Sequence, residues 1–220
     1  MGLRELKKQQ TRELLSDTAM GLFAERGFDR VTVVEVARAA GVSPNTVFNY
    51  FPTKEDLFFD RQEEVVAHLA EVVRRRPSGS SAVDAVRADL LAAFASGEPT
   101  VGLNPGAAAF WRIVEDSAAL RARLLELGER SEAALAAVLA EESGAAPQDP
   151  LPRVVAGAVT GAHRAVLGEI RRAMVAGEPA EAVRARVEAA VDRAFGLLSR
   201  GLARYPAEGR EITENLSAIP

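Results

Sequence analysis

The segment from residue 32 to residue 54 constrains the fold of this chain most, because it carries the start and stop signals of short helices. Thr32 and Glu35 have the spacing of a capping box, in which each side chain bonds to the backbone N–H of the other residue. A helix is therefore predicted to begin at Val33. Gly41 follows the apolar face of this helix and can adopt the left-handed conformation that ends it.

A second helix is predicted to begin shortly after that glycine. Ser43 is an N-cap residue, and Pro44 suits the first helical position, where the N–H that proline lacks would have no partner. Pro52 stops the helix near Phe51. Two short helices joined by a tight turn containing glycine are typical of the DNA-binding helix-turn-helix. The alternative is an ordinary helical hairpin with polar residues facing water.

The outward side of the second helix carries residue types that bind DNA. Asn and Thr can hydrogen-bond to base edges or phosphates, and Tyr can hydrogen-bond to phosphate. Asn45 and Thr46 are expected to read base edges, and helix N-termini attract phosphates. The predicted DNA-binding residues are Thr32, Ser43, Pro44, Asn45, Thr46, Asn49, Tyr50 and Lys54. Those expected to hold phosphates are Thr32, Ser43, Tyr50 and Lys54.

Residues on both sides of the motif extend this pattern. They are Leu22-Phe23-Ala24-Glu25-Arg26-Gly27-Phe28 before it and Val47-Phe48-Asn49-Tyr50-Phe51-Pro52-Thr53-Lys54-Glu55-Asp56-Leu57 at its end. Over residues 11–59 the sequence resembles the TetR family of bacterial transcriptional regulators. The resemblance implies a homodimeric repressor with an N-terminal DNA-binding domain and a C-terminal domain that binds an effector and dimerises. Asn49 departs from the family pattern, in which an aromatic residue or His is common.

Composition favours an all-α protein without catalytic chemistry. Apolar residues make up 48 % of the chain and aromatic residues only 5 %. The absence of cysteine excludes disulfides, thiolate metal sites and a cysteine nucleophile. The two histidines, His68 and His163, lack the spacing of metal ligands, and no P-loop, G-x-G-x-x-G or G-x-S-x-G motif is present. We therefore expect neither an enzyme nor a cofactor.

The net charge of −4 is unevenly distributed along the chain. Residues 1–54 hold eight basic and six acidic residues, so the acidic excess lies in the remainder. Acidic bulk behind a mildly basic head would orient the protein on DNA. No secretory signal is visible, and no uninterrupted apolar run reaches the length of about 18 residues that spans a membrane. We therefore expect a cytoplasmic protein with no membrane contact.

Hydrophobic periodicity predicts an all-α fold of about nine helices. The predicted organisation is an N-terminal three-helix DNA-binding domain (1–53), a C-terminal helical ligand-binding and dimerisation domain (54–204) and a flexible tail (205–220). One long helix is predicted from Thr53 to about Arg75. The other helices are predicted near 8–26, 33–40, 44–51, 82–95, 106–116, 118–142, 151–176 and 180–204.

Two of these helices, 151–176 and 180–204, have faces of small apolar residues. A helix that is apolar nearly all round must be buried on several sides, and a monomer of this size has trouble covering both helices. We expect the two to form a four-helix bundle with their symmetry mates; the alternative is that other helices of the same chain cover them. The predicted interface residues are Val154, Ala158, Gly161, Ala162, Ala165, Ala190, Ala194, Leu198 and Gly201.

An effector pocket is predicted between the helices 106–116 and 151–176, behind a Gly/Pro-rich loop at 96–105 that could move as a lid. A histidine on an apolar row has an energetic cost unless it is hydrogen-bonded. The predicted pocket residues are Phe110, Trp111, Val114, Thr160, His163 and Leu167, with Thr160 and His163 as polar anchors for a hydrophobic or aromatic molecule. The alternative is a core histidine bonded to a carbonyl and a tryptophan that only fills the core.

Together these features predict a ligand-responsive regulator that binds double-stranded DNA, expected to be a repressor released from a palindromic operator by a small hydrophobic effector. The alternative is a helical small-molecule-binding or interaction protein without sequence-specific DNA binding. Salt-sensitive retention on heparin or non-specific DNA distinguishes the two.

Overall fold

The computed structural model describes residues 2–104 and 106–202, and over these residues the chain is all-α, as predicted. The described residues form ten α-helices: α1 (Leu3–Arg26), α2 (Val33–Ala39), α3 (Pro44–Tyr50), α4 (Lys54–Phe58), α5 (Gln62–Arg74), α6 (Ala82–Ser96), α7 (Ala107–Asp116), α8 (Ala118–Ser143), α9 (Leu151–Val175) and α10 (Ala180–Leu202). A 3₁₀ turn, Pro99–Val101, precedes α7. None of these helices is long and apolar enough to cross a bilayer. The predicted tail, 205–220, lies outside the described residues.

The capping chemistry of the helix-turn-helix is confirmed. Thr32 Oγ1 accepts a hydrogen bond from the backbone N–H of Glu35, whose carboxylate accepts one from the N–H of Thr32 at 2.8 Å. Ser43 Oγ accepts from the N–H of Thr46 at 3.1 Å. Gly41 between the two helices has φ +70°, which disfavours side chains. Bonds that span three residues fix both helix starts.

The prediction of one long helix from Thr53 is wrong, because the chain breaks between α4 and α5. No Gly or Pro marks this break in the sequence. The cause is tertiary: the guanidinium of Arg12 donates to the carbonyl of Asp60 at 2.7 Å and to that of Tyr50 at 3.2 Å. Phe58, at the end of α4, is buried in the aromatic cluster of the N-terminal core. Arg12 thus binds carbonyls that have no helical partner at the ends of α3 and α4.

Buried apolar residues form two clusters. One lies within α1–α4, which we call the head, and includes Phe23, Val47 and Leu57. Two fully buried residues from later helices, Val114 of α7 and Leu120 of α8, complete this cluster. The other cluster fills α5–α10, which we call the body. The head core is therefore not built from the first 53 residues alone.

The helices of the body close into a ring. Along this ring α5 packs on α8, α8 on α9, α9 on α10, α10 on α6, and α6 again on α5. The shorter α7 lies outside the ring against α8 and α9 and also contacts α1 of the head. Both α7 and α8 therefore contact the head.

Candidate nucleic-acid interface

The helix α3 presents a continuous exposed face beside a buried anchor. Val47 is fully buried in the head core and fixes the rotation of the helix. The opposite side faces solvent: Ser43, Pro44, Asn45, Phe48 and Asn49 are exposed, and Thr46 and Tyr50 are partly exposed. Seven of the eight predicted DNA-binding residues thus lie on α3, at its N-cap, or on the preceding capped helix start.

Phe48 is an exposed aromatic residue on this face that the sequence reasoning did not include. It is 49 % exposed and lies one helical turn from Asn45, on the same side of α3. An apolar side chain among groups that can read DNA suits contact with a thymine methyl. The spacing of three residues between Asn45 and Phe48 places both on one side of the helix, away from the side that buries Val47. This spacing could have identified Phe48 from the sequence.

The hydroxyls at the two helix N-termini are engaged within the head. Ser43 Oγ and Thr46 Oγ1 share a hydrogen bond of 2.8 Å. Thr32 Oγ1 donates to Glu35 Oε2 at 2.8 Å, and Glu35 is also bound by Arg26 at 2.7 Å. Hydrogen bonds from Arg26 and Thr32 lower the pKa of Glu35 to about 2, so its carboxylate is charged. Phosphate contact by Thr32 requires its hydroxyl to turn away from Glu35.

Lys54 has an internal role that the predicted phosphate contact did not include. Its ammonium donates to the carbonyl oxygens of Phe28 at 3.0 Å and Val31 at 3.1 Å. The same ammonium lies 4.1 Å from the centre of the Phe28 ring, a cation–π arrangement. Lys54 therefore fastens the start of α4 to the loop between α1 and α2, which leaves one ammonium N–H free for a further acceptor.

The six predicted effector residues do not converge on one pocket. Phe110 of α7 stacks on Phe58 of the head, with ring centres 4.6 Å apart, and Val114 is fully buried in the head core. The hydroxyl of Thr160 donates to the carbonyl of Ala156 at 2.8 Å, and Leu167 packs on the body core. Phe110 and Val114 of α7 thus pack with the head core, whereas Thr160 and Leu167 lie on α9 of the body, and the effector pocket stays a prediction.

Trp111 packs against the head core and against the loop that precedes α7. The edge of its indole lies against Gly102, where a Cβ would sit 3.4 Å from Nε1. Gly102 has φ +82°, which favours glycine at this close approach. The guanidinium of Arg171 lies 5.5 Å from the indole centre.

His163 is partly buried on α9 and makes no hydrogen bond within the described residues. The predicted alternative of a histidine bonded to a carbonyl is therefore not what the structure contains. Burial, and to a smaller extent the neighbouring His68, lower the pKa of His163 to about 4, although Asp89 opposes the shift. The His163 imidazole is neutral at pH 7 and can both donate and accept a hydrogen bond.

None of the six predicted residues lines either of two grooves on the surface of the described residues. A groove of about 480 Å³ runs between the head and α7, past Phe28, Asp29 and Ile113. A second groove, of about 470 Å³, lies between α5 and α6 and is lined in part by His68 and Asp89, which are 2.8 Å apart. No cluster of His and acidic residues able to hold a metal occurs in 2–104 or 106–202.

The predicted dimer face is partly exposed and partly used within the chain. Val154, at 63 % exposure, and the residues Ala165 and Gly201 face solvent. The partly buried ones are Ala158, Gly161 and Ala190. Three others, Ala162, Ala194 and Leu198, pack against the body core of the same chain. Leu197, on the same face of α10, is 64 % exposed.

Comparison with known proteins agrees with this geometry. Residues 15–60 match the family model of bacterial regulatory proteins of the tetR family, and residues 80–203 match the MftR C-terminal domain. The HTH-type transcriptional regulator TcmR of Streptomyces glaucescens is 28 % identical over 174 residues, which cover 76 % of each chain. The HTH-type transcriptional regulator LuxR of Vibrio harveyi is 43 % identical over 67 residues, 30 % of this chain and 29 % of that protein.

Solved structures share the fold at low sequence identity. NalD, the secondary repressor of the MexAB-OprM multidrug efflux pump in Pseudomonas aeruginosa, has a TM-score of 0.55 and 19 % identity, covering 84 % of this chain and 97 % of NalD. SmeT of Stenotrophomonas maltophilia, in its complex with triclosan, has a TM-score of 0.55 and 18 % identity, covering 87 % and 91 %. With its capped helix-turn-helix and both family matches, the chain belongs to the tetR family of DNA-binding transcriptional regulators and carries an MftR-type C-terminal domain.

Proposed function

We propose that this regulator is a homodimeric repressor that reads a pseudo-palindromic operator with α3 in the major groove and is released by a small hydrophobic effector. The exposed face of α3 carries the proposal, because it combines amide, hydroxyl and apolar groups around the buried anchor Val47. We keep residues 1–53 as the DNA-binding domain and 54–204 as the effector and dimerisation domain, with the head core completed by Val114 and Leu120.

Base reading is assigned to Asn45, Thr46 and Phe48, and phosphate binding to the surrounding polar residues. Asn45 and Asn49 make no hydrogen bond within the described residues, so their amides are available to DNA. The proposed phosphate contacts are Thr32, Ser43, Tyr50 and Lys54, with Pro44 and Asn49 beside them. Phosphate contacts fix the register of the protein on the duplex, and base-edge contacts give specificity.

A dimer through α9 and α10 would place two copies of α3 on one face of the DNA. Two-fold related recognition helices must meet the groove at a spacing of about 34–36 Å or a multiple of it. Exposed apolar residues on both helices, Val154 and Leu197, support this assignment, because they lie beside small residues that permit close helix approach.

The effector is proposed to be a mainly apolar molecule bound within the body, with His163 as a polar contact. A neutral imidazole without a protein partner can donate or accept a hydrogen bond from such a molecule. SmeT, which shares the fold, has been solved with triclosan. An effector can release DNA only through its higher affinity for the non-binding conformation.

Selection from random duplexes tests the DNA-binding proposal. The wild type should enrich a pseudo-palindrome, and Asn45→Ala should change the preferred base at one position of each half-site, at a cost of roughly 1–3 kcal/mol. Tyr50→Phe, which deletes only a hydroxyl, should weaken binding equally for all duplexes. An unchanged base preference in Asn45→Ala would remove Asn45 from base reading.

The alternative function, a helical binding protein without sequence-specific DNA binding, predicts a different result. Such a protein would enrich no sequence and would show little salt-sensitive retention on heparin. The effector proposal is tested by screening apolar metabolites for release of the selected duplex. Effectors that bind His163→Ala as tightly as wild type would place the site away from His163.

A further inference from the structure

Three polar side chains from three helices meet at the junction of head and body. Arg123 Nη2 of α8 donates to Asp56 Oδ1 of α4 at 2.8 Å and to Gln62 Oε1 of α5 at 2.8 Å. Gln62 Nε2 also donates to Asp56 Oδ1, at 2.7 Å. Asp56 is only 5 % exposed, and the Arg123 side chain, which also binds Glu126 of α8 through Nη1 at 2.6 Å, is 19 % exposed. We call Asp56, Gln62 and Arg123 the junction triad.

Asp56 also fixes the start of α4. Its other oxygen, Oδ2, accepts from the backbone N–H of Thr53 at 2.9 Å, while Thr53 Oγ1 accepts from the N–H of Asp56 at 3.2 Å. Burial raises the pKa of Asp56. Hydrogen bonds from Gln62 and Thr53, together with the charge of Arg123, outweigh this effect, so the pKa of Asp56 lies below its usual value. One charged carboxylate therefore joins the first turn of α4 to α5 and α8.

The stability of the fold alone does not explain why these three polar residues meet at the junction. Burying an ion pair costs desolvation energy, and well-packed apolar residues often stabilise a protein as much. Arg123 Nε is buried without a hydrogen-bond partner in the described part of the chain, which adds to that cost. Hydrogen bonds with fixed directions instead favour a single packing geometry of α4 against α8. Apolar contacts would allow a wider range of geometries.

The geometry of α4 determines where α3 lies. Only a few residues connect the two helices, and Lys54 at the start of α4 holds the loop before α2 through the carbonyls of Phe28 and Val31. The orientation of the head is therefore tied to the orientation of α4. Resting on the DNA-binding role above, we propose that Arg123 is a positioning residue for DNA binding: it sets the angle of the head on the body and transmits shifts of α8 to α3.

The matched control is a second arginine of α8, which pairs with α5 and not with the head. Arg130 binds Glu63 of α5 at 2.8 Å, and both side chains are more exposed than those of Arg123 and Asp56. Arg123→Lys and Arg130→Lys each keep the positive charge and remove the planar guanidinium, whose N–H groups point in fixed directions. If Arg123 served only to stabilise the fold, the two variants would differ in melting temperature and not in the orientation of the head.

The orientation of the head is measured with spin labels. The chain has no cysteine, so Val34→Cys in the head and Glu129→Cys on α8, both exposed, give one defined label pair. Double electron–electron resonance, with labelled chains diluted into unlabelled ones, should give a narrow distance distribution in wild type and in Arg130→Lys. Arg123→Lys should give a broad distribution. If about one tenth of heads remain correctly oriented, its affinity for the selected duplex should fall about tenfold.

Each outcome decides the proposal. It is overturned if Arg123→Lys matches Arg130→Lys in distance distribution and in affinity. Should Arg123→Lys fail to fold, Gln62→Met removes one arm of the triad without leaving a charge unpaired, and an unbroadened distribution in that variant overturns the proposal equally. The distance measurement needs no DNA, so a wild type that binds no duplex refutes the proposed function and leaves the positioning test in force.

Discussion

Phe48 illustrates how a single side chain can be informative through its exposure. About half of the Phe48 side chain is exposed on a short helix, so that part of the ring is available for a contact with DNA. His163 is the converse case, a titratable ring in the body that burial keeps neutral. The Phe48 ring and the His163 imidazole can each be tested by replacing that single side chain.

Phe48 should recognise a thymine methyl. Replacing the contacted thymine by deoxyuridine removes one methyl group, which should cost the wild type about 0.8 kcal/mol, or about fourfold in affinity. The same change should cost Phe48→Ala nothing, so the two effects form a double-mutant cycle. Val34→Ala, an exposed apolar position on α2, is the control. Equal deoxyuridine effects at every thymine in both proteins would contradict this contact.

His163 should make stability depend on pH between about 6.5 and 4. The unfolded chain binds a proton near pH 6.5, whereas the folded protein does so only near 4, so the free energy of unfolding falls as pH drops through this window. The slope should approach about 1.4 kcal/mol per pH unit for one proton. Urea unfolding of wild type and His163→Gln measures it, and the variant should lack this slope.

His68→Gln is the control for that titration, because the His68 shift has the opposite sign. The hydrogen bond that His68 donates to Asp89 raises the pKa of His68, so its stabilising contribution is present at low pH and is lost as pH rises through that raised value. The His68 variant should therefore keep the acid-side slope. A slope that is identical in wild type and His163→Gln would assign it to other groups.

At the scale of elements, short connections decide where the helices face. The break between α4 and α5 exists because Arg12 binds the released carbonyl of Asp60. The loop before α7 is fixed by Gly102, which lets Trp111 pack against its backbone. Neither connection carries apolar periodicity, yet together they set the directions of α5 and α7.

Gly102→Ala should destabilise the protein more than Gly79→Ala. Both glycines have φ +82°, so alanine costs roughly 1–2 kcal/mol of backbone strain at either position. Only at Gly102 would the new Cβ also press on Trp111, since nothing lies within 4 Å at Gly79. Thermal unfolding should rank the two variants, and only Gly102→Ala should change the fluorescence of Trp111, the single tryptophan. Equal losses with unchanged fluorescence would contradict the packing argument.

For the whole molecule, the head and body are linked through side chains as well as through the chain. Val114 and Leu120 of the body complete the head core, and Ser117 at the start of α8 donates to Asp29 of the head at 2.8 Å. The turn between α7 and α8 is therefore part of both units. The exposed apolar residues Val154 of α9 and Leu197 of α10 belong to the dimer interface that we propose.

Leu197→Glu should disrupt the dimer, whereas Leu125→Glu should not. The two leucines are almost equally exposed, at 64 % and 66 %, but Leu197 lies on α10 and Leu125 on α8. A buried unpaired carboxylate opposes association, so light scattering should give half the wild-type mass for Leu197→Glu, and operator affinity should fall. Ala158→Glu on α9 should behave in the same way. A Leu197→Glu protein with unchanged mass would remove α10 from the interface.

The helix-turn-helix was predictable from sequence because its determinants are local. Thr32 with Glu35, and Ser43 with Thr46, bond across three residues, so the sequence contains both partners of each contact. The same holds for the all-α class and for most helix boundaries, which depend on periodicity and capping. The outward face of α3 followed directly, since a short helix with one buried anchor has little choice of rotation.

Other features were decided only by the tertiary structure, because their partners are distant in the chain. The break after α4 depends on Arg12, the internal role of Lys54 depends on the carbonyls of Phe28 and Val31, and the junction triad joins α4 to α8. The same holds for the predicted effector residues, three of which lie on α7 and pack with the head core while the other three lie on α9 of the body. Periodicity shows that α7 has an apolar face, but the packing of the chain determines which core each residue of that face meets.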